Sequence, residues 1–147
     1  MSDSWLDHIP SREREKIRQR LRSPEAYEAL REKVKGPEDV ERELERSALL
    51  AELRFGLETE PHLHDALKSA VERDLREKGV EQMLEATSAS VDARRALEQG
   101  KFLVKVEAHP VTHVDQLVLV ADSGNVQEKL PLRPSVSEQY VSQFAKV

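Results

Sequence analysis

The chain has 147 residues, enough for one domain of ordinary size, with 38% apolar, 35% charged and 4% aromatic residues. It contains no cysteine, which excludes disulfide stapling, thiolate catalysis and Cys-ligated zinc. The net charge of −5 is unevenly spread: residues 1–36 carry 9 Lys/Arg against 7 Asp/Glu, and residues 37–100 carry 9 against 16. The lean apolar content still recurs with structural periods, so a folded protein with a heavily ionic surface is expected.

The N-terminus, Trp5-Leu6-Asp7-His8-Ile9, lacks a basic region followed by an apolar run, so no signal peptide is expected. No segment approaches the roughly 18 apolar residues needed to cross a bilayer, and a cytoplasmic location with no membrane partner is the expectation. Trp5, the only tryptophan, either anchors this end to the fold or serves as an exposed binding motif.

In chain order, Pro10-Ser11 opens a helix to about Arg22, with Ile17 and Leu21 as a thin apolar stripe. Ser23-Pro24 restarts the chain: serine accepts a free backbone N–H at the N-cap, and proline suits the first helical position. Tyr27, Leu30 and Val34 follow at helical spacing, with a left-handed stop expected at Gly36. Pro37-Glu38-Asp39 begins a third helix, whose Val40, Leu44, Ala48, Ala51 and Phe55 form one stripe, widened by Leu49, Leu50, Leu53 and Leu57. Gly56 falls near its expected end. A fourth helix runs from about His62 to Lys78 with Leu63, Leu67, Val71 and Leu75 every four residues, stopped by Gly79. A further short helix over Val80–Ala86 is expected, then a polar break at Thr87–Ser90 and a Ser90-capped helix to Gly100.

The period then changes to two. Phe102, Val104, Val106 and Ala108 alternate with Leu103, Lys105 and Glu107, which reads as a strand. Val114–Ala121 is apolar on both faces at Leu117-Val118-Leu119-Val120, Asp122–Asn125 is a turn, and Val126, Glu128, Leu130 and Leu132 resume alternation. After Pro134-Ser135, the residues Val136, Tyr140, Val141 and Phe144 have helical spacing. The fold class is therefore α+β: five or six helices, a three-stranded antiparallel meander and a C-terminal helix in a single domain over 1–147. Its sub-regions are a helical 1–86, a linking helix 87–100, a meander 101–132 and a helix 135–147. The middle strand needs cover on both faces, from the helices on one side and from the C-terminal segment or a second copy of the chain on the other.

Candidate chemistry is sparse. His62 and His64, with His109 and His113, form two pairs that could share a metal with nearby carboxylates, although the spacing matches no zinc signature. The plainer reading is loop histidines, and no metal or cofactor is expected. Arg12, Arg14, Lys16, Arg18, Arg20 and Arg22 make a basic helix, but cations two residues apart point about 200° from one another and do not line one face. A solvated helix or a contact to an acidic protein surface is the first reading of it, and nucleic acid the second. The acidic, Leu-rich helix from Val40 to Leu57 forms either the core or a ridge for a partner helix. There is no glycine-rich phosphate loop, no Gly-x-Ser-x-Gly elbow and no His-Glu-x-x-His.

The expected function is accordingly a non-catalytic protein-binding or regulatory protein. Its candidate contacts are Trp5, Arg12, Arg14, Arg18, Arg22, Leu117 and Leu119, and a homodimer through the meander is a further expectation. The alternatives are a nucleic-acid-binding regulator using the basic helix, and a small metal-dependent enzyme or sensor using the histidines.

Overall fold

The computed structural model describes residues 4–21, 23–85, 89–109, 114–124 and 127–145. Among these, the element order is a 3-10 turn (Trp5–His8), α1 (Ser11–Arg20), α2 (Pro24–Lys33), α3 (Pro37–Thr59), α4 (Pro61–Lys78), α5 (Val80–Met83), α6 (Val91–Glu98), β1 (Phe102–Ala108), β2 (Asp115–Asp122), β3 (Gln127–Pro131) and α7 (Pro134–Phe144). The strands form an antiparallel sheet of order β1-β2-β3. The helices-then-meander arrangement is the α+β fold expected from the periods. Among the described residues no helix is long and apolar enough to cross a membrane. The chain divides into two compact units, 1–49 with 108–115, and 50–107 with 116–147.

In the first unit, Leu6, Ile17, Tyr27, Leu30, Val34, Val40 and Leu44 form the core, with Trp5, Ile9 and Leu21 packed against it. The 3-10 turn is fixed by Ser4, whose hydroxyl accepts from the Leu6 N–H at 3.2 Å and donates to the Arg31 carbonyl at 2.8 Å. Asp7 returns the favour by accepting the Ser4 N–H at 3.2 Å, closing a capping box. The same carboxylate holds Arg31 with two bonds of 3.1 and 2.7 Å, and Arg31 reaches Glu28 at 2.9 Å. The Arg31 guanidinium, and then the Ser4 N–H, hold the pKa of Asp7 below its ordinary value near 3.8. A depressed carboxyl stabilises the fold above its unfolded value and loses that contribution as pH falls through the folded one. Asp7→Asn is therefore expected to lower the melting temperature at pH 7. The gap to the parent should narrow progressively as pH falls below about 3.8 in thermal melts followed by circular dichroism.

Three details of the helices differ from the sequence reading. Helix α2 ends at Lys33, with Val34 extended as its C-cap yet buried, and Gly36 is not left-handed. Along α3 the single expected stripe breaks: Val40, Leu44, Leu50, Leu53 and Leu57 are buried, whereas Ala48, Ala51 and Phe55 are exposed, Phe55 by 68%. Gly56 does not stop α3 but lies within it, where a side-chain Cβ would come 2.6 Å from the Leu63 Cδ2 of α4. Its role is the close approach of two helices. By contrast Gly100 is left-handed (φ +72°) as expected, and the Gly100 and Lys101 N–H groups close α6 by donating to the Leu97 and Ala96 carbonyls.

The second unit is built on the sheet. Phe102, Val104 and Val106 of β1 are buried while Leu103 and Lys105 are exposed, the expected alternation. Residues 116–121 of β2 are all buried, and Val118↔Pro131 to Asp122↔Gln127 set the register with β3. The Gly124 N–H donates to the Asp122 carboxylate at 2.9 Å in the turn after β2; Val126, expected in β3, lies outside the described residues. Leu132 continues past β3 into a bridge with Leu84, just after α5, and Arg133 ties the same segment to the Leu84 and Glu81 carbonyls. The Ser137 hydroxyl of α7 accepts the Leu117 N–H at 3.1 Å, and the Tyr140 hydroxyl donates to Asp74 of α4 at 2.5 Å. Through these bonds the C-terminal helix joins its own unit.

Candidate functional site

The sequence candidates are distributed as follows. Trp5 is half-buried at the edge of the first core. Arg12 is exposed, Arg14 donates to Ser11 at 2.9 Å, and Arg18 pairs with Glu15 at 3.6 Å while its guanidinium sits 4.5 Å over the Tyr27 ring. Arg22 lies outside the described residues. The other two cations of α1 are also engaged, Lys16 with Glu13 at 3.6 Å and Arg20 with Glu41 at 3.9 Å. The basic helix is thus laced with local ion pairs instead of presenting a one-signed stripe.

His62 is exposed, whereas the His64 Nε2 accepts the backbone N–H of Val104 at 3.1 Å, so that ring is committed to the sheet. His109 belongs to the other compact unit, and His113 lies outside the described residues. Among the described residues there is no group of three or more His, Asp or Glu placed to hold a metal ion.

Leu117 and Leu119, expected as partner contacts, lie inside the chain's own core. Both are 0% exposed, because the cover that β2 requires is supplied within this chain. A side chain already packed inside its own chain offers no surface to another.

What the structure brings together is a groove of about 560 Å3 in the first unit, which the sequence reading did not assemble. One wall is α1, with Glu13, Lys16, Ile17 and Arg20 at positions i, i+3, i+4 and i+7. The other is the start of α3, with Pro37, Val40, Glu41 and Leu44 at the same spacing. Trp5, Ile9 and Pro10 line it as well. The apolar members make a floor, the charged members a rim of both signs, and the Arg20–Glu41 pair joins the two walls. The signal was present in the sequence as two matching four-residue sets, but only packing shows that the two sets face one another. A larger cavity of about 600 Å3 in the second unit is lined by Lys68, Arg95 and Lys101 against Asp92 and Asp122. Ala96, Phe102, Leu103 and Val120 line it too, but polar surface makes up a larger share of its wall than of the groove's, which favours the groove as the binding surface.

The chemistry within reach of the groove is recognition by shape and apolar contact: its carboxylates, Glu13 and Glu41, stand in ion pairs with Lys16 and Arg20. Comparisons with protein-family models, with curated proteins and with solved structures give no match.

Proposed function

We propose that the protein is a non-catalytic docking protein that takes an amphipathic helix of a partner protein into the groove between α1 and α3. The observation that carries this reading is the groove's construction, with an apolar floor of Trp5, Ile9, Ile17, Val40 and Leu44 under a rim of both charges. Helix-in-groove recognition uses that combination: apolar anchors at helical spacing supply affinity, and the charged rim sets orientation. Trp5 is the natural anchor on this side, since a half-buried tryptophan contributes large area with few rotatable bonds. The cytoplasm is the setting that the cysteine-free composition fits.

Affinity capture at about 0.15 M salt, followed by a binding titration with the captured protein, tests it. Ile9→Asp is expected to weaken binding by tenfold or more, about 1.4 kcal/mol, because it places a charge in the apolar floor. Arg12→Glu, outside the groove, should leave affinity within a factor of about 2. A chain that remains an inert monomer with no protein partner overturns the reading. Binding to nucleic acid that weakens steeply with salt would replace it with the basic-helix alternative.

A further inference from the structure

β1 is an edge strand of the β1-β2-β3 sheet, and an edge strand presents unpaired backbone groups along its outer side. The Asp122 N–H donates to the Lys101 carbonyl at 3.0 Å, so the odd-numbered positions of this segment face β2. Alternation then turns the N–H groups of Phe102, Val104 and Val106 outward. One of these is taken by a side chain from 40 residues upstream: the Val104 N–H donates to the His64 Nε2 at 3.1 Å. His64 lies in the first turn of α4, and its ring is only 16% exposed.

An imidazole nitrogen that accepts from an amide carries no proton, so the ring proton of His64 is on Nδ1. That nitrogen faces the Asp65 carboxylate at 3.7 Å. A second proton on Nε2 turns the acceptor into a donor and sets two N–H groups against each other. We propose that His64 is a proton-operated latch on the free edge of the sheet: neutral, it closes the Val104 position; doubly protonated, it releases it. The charged groups around the ring favour the released state once it is protonated. From α3 come Arg54 and Glu58, which pair with each other at 3.6 Å and largely cancel; from β1 comes Lys105; from α4 comes Asp65, already on the Nδ1 side. Asp65, 3.7 Å from Nδ1, attracts a charged ring on the side away from the Val104 N–H. A groove of about 300 Å3 alongside, lined by Leu57, Pro61, Leu103 and Val106, leaves room for the ring to move and for water to reach the freed N–H.

The test is site-resolved. Imidazole titration of His64 by NMR is combined with amide-exchange protection of Val104, corrected for the intrinsic rate, between about pH 8 and about pH 5. Protection at Val104 is expected to fall about tenfold with the same midpoint as the ring, while Leu119 in the central strand stays unchanged. In His64→Gln the side-chain oxygen accepts at every pH, so Val104 protection should no longer follow pH. The latch is refuted if Val104 protection is flat through the His64 titration, if His64 keeps its single proton over the whole range, or if Val104 and Leu119 fall together. A fall of equal size in His64→Gln refutes it too, and the wild-type comparison alone decides should that variant fail to fold.

Discussion

Leu119→Ala is expected to lower the free energy of unfolding by about 2–5 kcal/mol, and Leu117→Ala by a similar amount. Each side chain is 0% exposed, so truncation removes its transfer free energy and leaves a cavity that neighbouring residues only partly refill. Relief through shifting the strand is limited. Val118, Leu119, Val120, Ala121 and Asp122 are held in register by β3, and the Leu117 N–H is held by Ser137. Since whole domains are stable by about 5–15 kcal/mol, either change removes a large share of the total. Urea unfolding measures the loss, and sedimentation at matched concentrations measures association. If Leu119→Ala keeps its stability and loses a partner or a dimer, the strand is an interface and its assignment to the core is wrong.

The periods were enough to place the elements. Helix starts at Ser23-Pro24 and Ser90 were legible because each carries its own local cap: the Ser23 hydroxyl accepts from the Ala26 N–H at 3.2 Å and that of Ser90 from the Ala93 N–H at 3.0 Å. Where a boundary depends on a distant neighbour, local reading failed. Gly56 looked like a helix stop, but it lies within α3, where a side-chain Cβ would press on the Leu63 side chain of α4. Phe55 looked like core on the strength of hydropathy, yet the face that carries it with Ala48 and Ala51 is exposed. The 3-10 turn at Trp5–His8 was missed because one short turn has no period, and it is held by Arg31, 24 positions beyond Asp7.

The site was legible in parts only. Trp5 was singled out by its rarity and does line the groove, whereas Arg12, Arg14 and Arg18 were singled out by charge and do not. Charge density records which residues meet water, and on α1 most of that charge is spent on partners within the same unit. Lys16, Arg20 and Glu41, which do form the rim, are indistinguishable in sequence from their neighbours. The doubly apolar run at Leu117–Val120 was read correctly as needing cover on both faces. That signal cannot distinguish cover by the same chain from cover by a second copy, since buried apolar area is the same quantity in either case.

The attachment of the last helix gives the second large effect. Tyr140→Phe is expected to cost about 1.5–3 kcal/mol, the range for a hydrogen bond to a charged group. The substitution keeps the ring and removes only the hydroxyl, which donates to the Asp74 Oδ2 at 2.5 Å. Asp74 keeps Arg73 at 3.5 Å, but its side chain is 15% exposed, so water can replace the lost donor only in part. The same hydroxyl predicts an alkaline limit. Burial first, then the bond to Asp74 and its charge, push the Tyr140 phenol above its ordinary value near 10. A group raised on folding contributes its full stabilisation below the unfolded value and loses it as pH climbs through the folded one. The advantage of the parent over Tyr140→Phe should therefore be constant from about pH 7 to about pH 9 and shrink above about pH 10. Urea unfolding of both proteins at each pH isolates this term, because every other titrating group is common to the pair. An advantage that persists undiminished at about pH 11 would mean that the phenol ionises alike in the folded and unfolded chain, and that the bond from α7 to Asp74 is not what holds the helix.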